Sequence, residues 1–167
     1  MRHRIAAAAL AATLLIGFNH GASASEAQVK RGKYLVSVIS CGDCHTDGAL
    51  AGKPDLEHPL NGSTIGFQIP GLGIFYGSNL TPDAETGLGS WSSAQIVAAL
   101  TKGVRPDGRT LAPIMPWRSF ANLTAKDAEA IAAYLKSLPP VKHKVPGPFG
   151  PSEKATAPYM SVVMPGQ

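Results

Sequence analysis

The only two cysteines of the chain stand in Cys41-Gly42-Asp43-Cys44-His45, three residues apart and followed at once by an imidazole. Cys-x-x-Cys-His is the pattern that attaches a haem covalently. Each thiol adds across one haem vinyl group, and a two-residue spacer lets one turn of chain reach both. The next residue then lies over the iron, so His45 supplies the proximal nitrogen. Other chemistries use only part of the motif. A disulfide accounts for the sulfurs but not the histidine. A thioredoxin-like pair needs a strand before it, whereas a glycine-containing helical pattern precedes this one. Zinc needs more soft ligands than two cysteines and scattered histidines. The reading is one covalently bound haem c, with its iron.

If His45 fills one axial position, the other decides what the iron can do. The candidates are Met115, Met160, Met164, His58 and His143. Met115 sits in "APIMPW", where Pro113 and Pro116 restrict the backbone. That suits a thioether held at fixed distance, and Met115 is the expected second ligand. Met164 lies near the end of the sequence with no element after it. His58 and His143 stand in polar surroundings and read as solvated. A methionine thioether donates weakly to Fe(III) and so raises the potential relative to a second histidine.

These residues need elements to position them. Val29, Gly32, Val36 and Ile39 share one face of a helix expected from about Glu26 to Ser40. Ser92-Ser93 open a second helix, with Ile96, Val97 and Leu100 as its apolar stripe and Gly103 as its stop. Thr124 and Asp127 resemble a capping box before Ala128, Ile131, Ala132, Leu135 and Leu138, and Pro139-Pro140 end that helix. Between Thr46 and Ser90 glycine and proline recur, so turns and loops are expected there. So long an irregular stretch makes sense if it wraps a large apolar plate.

The N-terminus reads as a cleaved secretory signal peptide over residues 1–24. Arg2 and Arg4 precede an apolar run from Ile5 to Phe18, and Ala22-Ser23-Ala24 is a small-residue cleavage site. This implies a periplasmic protein with no transmembrane segment after cleavage. Leaving out Arg2 and Arg4 takes the formal charge from +4 to +2, too small a bias for nucleic acid. A haem domain then covers 25–140. The segment 141–167 reads as an extended tail, because the last 29 residues hold seven of the 14 prolines.

With its early helix into "CGDCH", a late methionine and a final amphipathic helix carrying Tyr134, the chain resembles the class I c-type cytochromes. The resemblance implies an all-α fold in which the first and last helices cross, with Gly32 against the aromatic Tyr134. "GSNLTPDAETGLGSWS", "ALTKGVRPDG" and "MPWRSFANLTAKDAEAIAAYLKSLPPV" look like the haem domains of cytochrome subunits of periplasmic alcohol- and aldehyde-type dehydrogenases. Those subunits usually carry three such domains; this chain has one. The resemblance implies that Asn79, Thr81 and Trp91 pass the haem edge. Buried propionates need donors, for which Trp91, Tyr76 or Arg118 are candidates. Trp117 is read as pocket packing, and Pro70 as support for the His45 side. The implied function is electron transfer from a dehydrogenase towards another cytochrome or a terminal oxidase, without catalytic residues. The alternative is a haem enzyme or a gas or peroxide sensor with an open sixth site.

Overall fold

The computed structural model describes residues 24–166, so the signal-peptide reading lies outside the described residues except at Ala24. Among the described residues there are five α-helices, one turn of 3-10 helix at Ala49–Ala51 and a small three-stranded sheet. Helix α1 spans Glu26–Val38, α2 Cys41–His45, α3 Ser93–Lys102, α4 Trp117–Phe120 and α5 Ala125–Ser137. No helix among the described residues is long and apolar enough to cross a membrane.

The helix ends follow local chemistry. Ser25 caps α1 by accepting from Gln28 N. Ser92 and Gln95 form a reciprocal capping box on α3, and Gly103 closes that helix in the left-handed conformation. Thr124 caps α5 by accepting from Asp127 N. Asp127 does not complete the expected box. Its carboxylate accepts instead from Arg31 Nε at 2.8 Å, tying α5 to α1.

Helices α1 and α5 share the most extensive helix contact, and Gly32 permits it. A Cβ on Gly32 would stand 1.9 Å from the Ala130 carbonyl oxygen and 2.7 Å from Tyr134 Cβ. The expected Gly32–Tyr134 contact is therefore present, with Ala130 closer still. Leu35 and Val36 of α1 join Ile96 and Leu100 of α3 and Ala128, Ile131, Ala132 and Leu135 of α5 in one buried cluster. Of the apolar positions expected from helical spacing, Val36, Ile96, Leu100, Ala128, Ile131, Ala132 and Leu135 are in this core and Ile39, Val97 and Leu138 pack against it, while Val29 is outside it and Leu35 joins it instead.

The all-α expectation needs correction. Strand β1, Gly66–Ile69, pairs antiparallel with β2, Gly73–Tyr76. A third strand, β3 at Tyr159–Met160, lies parallel to β1, giving the order β2-β1-β3. Phe149 makes an antiparallel bridge to Ile74 on the other side of the hairpin. The tail thus covers both hairpin edges, whose backbone groups would otherwise lack partners. It contributes an edge strand, which its prolines allow.

Where regular structure is absent, buried polar side chains satisfy the backbone. Thr46 Oγ1 accepts from Leu60 N at 3.0 Å, and Asn61 Oδ1 accepts from Asp47 N at 2.9 Å. Leu60 is buried with φ +66°, rare for a branched residue, and its carbonyl accepts from Leu80 N at 2.9 Å. The Thr46–Ser90 stretch is therefore a scaffold bonded internally both by backbone turns and by side chains that reach the backbone.

Candidate functional site

The Cys41–His45 motif forms one helical turn of its own, immediately after Ser40 reverses the chain with φ +57°. Positions 41 and 44 share a face of that turn. Both thiols are free and half-buried. Burial pushes the Cys41 thiol up to about 11, and burial together with Asp43 raises that of Cys44.

The His45 ring is fixed by one hydrogen bond. Its Nδ1 lies 2.7 Å from the Ser78 carbonyl oxygen. A carbonyl only accepts, so Nδ1 carries the proton and Nε2 keeps its lone pair for a metal. Desolvation lowers the imidazole's pKa, against the opposing pull of that carbonyl, so the neutral ligand form is favoured. The surrounding backbone is closely fitted. Gly62 N donates to the His45 carbonyl at 2.8 Å, and a Cβ on Gly77 would fall 1.8 Å from the Cys44 carbonyl oxygen. Only glycine fits at position 77.

Met115 arrives from 70 residues further along the chain than His45. Leu111 N donates to Gly103 O at 2.7 Å, Met115 N to Ala112 O at 3.0 Å, and Trp117 N to Met115 O at 2.8 Å. These bonds and the flanking prolines hold the methionine between α3 and α4. Cys41, Leu80, Trp91 and Met115 are all partly buried against the same core cluster, so the fold brings the motif and the methionine to one apolar body. The other candidates lie elsewhere. Met160 and Met164 are exposed, and His58 pairs with Asp55 at 3.0 Å. His143 departs from the solvated expectation. It is part-buried, with Nδ1 donating to Asn61 O at 2.8 Å.

Several residues expected around a haem have hydrogen-bond or packing partners within the protein. Asn79 is fully buried, and its amide nitrogen donates to Val141 O at 2.7 Å and Thr86 Oγ1 at 3.1 Å. Its Oδ1 accepts from both the amide and hydroxyl of Thr81. Both donor hydrogens are committed, and none remains for a propionate. Tyr76 donates its hydroxyl to Ala157 O at 3.1 Å, so it too is engaged by the tail. Pro70 stands exposed at the hairpin turn, whereas the backbone packed on His45 comes from Gly62, Gly77 and Ser78. Trp91 lies under the Arg105 guanidinium, 5.1 Å from the ring centroid, and its carbonyl accepts from Lys136 Nζ.

Trp117 provides the signal that sequence reasoning missed. Its indole packs on Gly103, where a Cβ would sit 2.6 Å from ring atoms, and Arg118 lies 4.5 Å from the ring centroid. Its Nε1 is the one buried side-chain donor among the described residues without a partner. Such a donor costs about 1–3 kcal/mol unless an acceptor arrives. No spacing rule distinguishes this tryptophan from Trp91; the difference exists only in three dimensions.

The donor set is one neutral imidazole with its second nitrogen engaged, a thioether, two free thiols three residues apart, and an unpartnered buried N–H. That set fits a haem with carboxylate side chains. Comparison with known families agrees, since the cytochrome c family model matches residues 29–139. The chain belongs to the cytochrome c family. It is similar to one of the subunits of the nicotinate dehydrogenase of Pseudomonas putida, at 37% identity over 122 residues, covering 73% of this chain and 10% of that protein. It is similar to the cytochrome c subunit of the quinone alcohol dehydrogenase of Gluconobacter oxydans, at 36% over 132 residues, covering 78% of this chain and 26% of the relative. The fructose dehydrogenase cytochrome subunit of Gluconobacter japonicus matches at 32% over 138 residues, covering 77% and 26%. This cytochrome thus spans between a tenth and about a quarter of the length of these relatives.

Proposed function

We propose that this cytochrome is a periplasmic electron-transfer protein of the class I type, carrying one haem c bound through Cys41 and Cys44 and ligated by His45 and Met115. The observation that carries the reading is the hydrogen bond from His45 Nδ1 to Ser78 O inside a Cys-x-x-Cys-His turn. It leaves Nε2 as the only free ring nitrogen and strengthens it as a donor. Bound there, the haem supplies one-electron chemistry between Fe(III) and Fe(II).

The rest of the work belongs to the chain. Cys41 and Cys44 would hold the macrocycle by thioether bonds. Met115, held by its backbone bonds to Ala112 and Trp117, would supply a thioether to the iron. Leu80, Trp91 and the core cluster exclude water, so oxidation and reduction proceed with little rearrangement. Trp117 Nε1, with the Arg118 guanidinium beside it, would donate to a propionate. The names of the relatives support a dehydrogenase as electron donor; the acceptor in this proposal is a further cytochrome or a terminal oxidase. No residue is assigned a catalytic role.

The test is Met115→Ala in the haem-loaded protein. The oxidised variant loses its weak far-red methionine–iron band, and its potential falls sharply. An unchanged spectrum rejects Met115 as ligand and leaves the sixth position to substrates or gases. Mass analysis of the exported protein checks the foundation, which fails if no tetrapyrrole is attached.

A further inference from the structure

The tail touches the two places where His45 is held. The first is the His45 carbonyl, which accepts from Gly62 N. Val145 presses on Gly62, its Cγ1 only 2.4 Å from where a Cβ would stand, and His143 donates to the neighbouring Asn61 carbonyl. The second is the ring nitrogen Nδ1, held by Ser78 O. The next residue, Asn79, is pinned by its amide to Val141 O, and Thr81 Oγ1 accepts from Val141 N at 3.1 Å. Thr86 Oγ1 accepts from His143 N at 3.1 Å and closes the same corner. Further along, Phe149 bonds Ile74 in both directions, Tyr76 donates to Ala157, and β3 pairs with β1. The segment from Val141 to Met160 therefore grips both sides of the loop that faces the histidine.

We propose that residues 141–160 are a positioning strap for the proximal ligand. By pressing Asn61–Gly62 and Ser78–Thr81 against the motif, the strap holds the Ser78 carbonyl on His45 Nδ1. It thereby sets how strongly Nε2 donates to iron. A firm Nδ1–H···O bond makes the imidazole a better donor and favours Fe(III). Loosening the wall weakens that bond and raises the reduction potential. The inference rests on the haem reading above. It gives the tail a role inside the redox centre, where sequence alone offers a surface wrap.

The test uses the full-length, haem-loaded chain with the tail double variant His143→Ala/Val145→Ala, neither residue touching the histidine ring. Arg31→Ala serves as control, because it removes the α1–α5 ion pair, remote from the strap. The readouts are the midpoint potential and the hydrogen-exchange rate of His45 Nδ1–H by NMR. The strap predicts a positive shift in potential and exchange faster by about tenfold, the scale of losing contacts of ordinary hydrogen-bond strength. The control leaves both readouts at parental values. Unchanged potential and exchange in the double variant overturn the proposal, as do equal changes in the control. If the double variant does not accumulate, Thr86→Val takes its place under the same criteria, because it removes the acceptor of His143 N without adding charge. A parent protein without attached tetrapyrrole defeats the haem reading itself, a result distinct from haem-loaded protein with an unmoved potential.

Discussion

Replacing the Trp117 N–H without altering the ring's shape gives opposite results depending on what it faces. The benzothiophene analogue of tryptophan exchanges the N–H for sulfur and keeps two fused rings on Gly103. If a propionate receives the N–H, the substitution removes a hydrogen bond to a charged acceptor, a loss of about 1.5–3 kcal/mol. If nothing receives it, the substitution relieves a buried unsatisfied donor and stabilises the protein by about 1–3 kcal/mol. Urea unfolding of the haem-loaded chain separates the cases. A typical dependence of about 2 kcal/mol per molar converts the predicted loss into a midpoint about 1 M lower. Phenylalanine is a poorer probe, because it also removes ring atoms and opens space against Gly103. A midpoint that rises or stays put refutes the assignment of Trp117 to the propionate.

Other expectations concern the frame. Gly32→Ala places a methyl about 1.5 Å inside the ordinary 3.4 Å contact with the rigid Ala130 carbonyl, so α1 must withdraw from α5. Overpacking of about 1–3 kcal/mol exceeds the alanine's gain in helix propensity of about 1 kcal/mol, and a denaturant midpoint at or above the parent's refutes this balance. Asp127 has its pKa lowered, chiefly by the hydrogen bond from Arg31. Its folded value lies below the unfolded one, so its stabilisation is full above the ordinary carboxylate range of about 3.9 and is lost as pH falls through the folded value. Asp127→Asn should therefore give a shallower loss of stability below about pH 4, measured by thermal melts across that range. Gly77→Ala should block proper closure of the motif, since its methyl meets the Cys44 carbonyl; haem incorporation per chain reports it, and normal yield would refute the steric argument.

The residues proposed for covalent and coordinate bonds stand out in the sequence because that chemistry imposes spacing. Cys41, Cys44 and His45 must lie on one turn, and a helix that crosses another closely needs Gly32 where it does. The three long helices announce themselves through caps and apolar periodicity. The hairpin does not. Its strands are four residues each, Gly66 and Gly73 interrupt the pattern, and its outer partners come from some eighty residues later. The tail is legible as extended but not as engaged, because its bonds run mostly through backbone groups that every residue carries. Asn79 shows the same limit. A buried amide reads alike in sequence whether it serves a cofactor or a carbonyl of Val141.

The bonds between His143 and Asn61, Val141 and Asn79, and Tyr76 and Ala157 span 82, 62 and 81 residues of sequence. Contacts so distant close slowly, because the intervening chain surrenders its freedom before they repay it. Closing loops this long takes freedom from much of the chain, so the wall behind His45 is held by the fold as a whole and not by its local sequence.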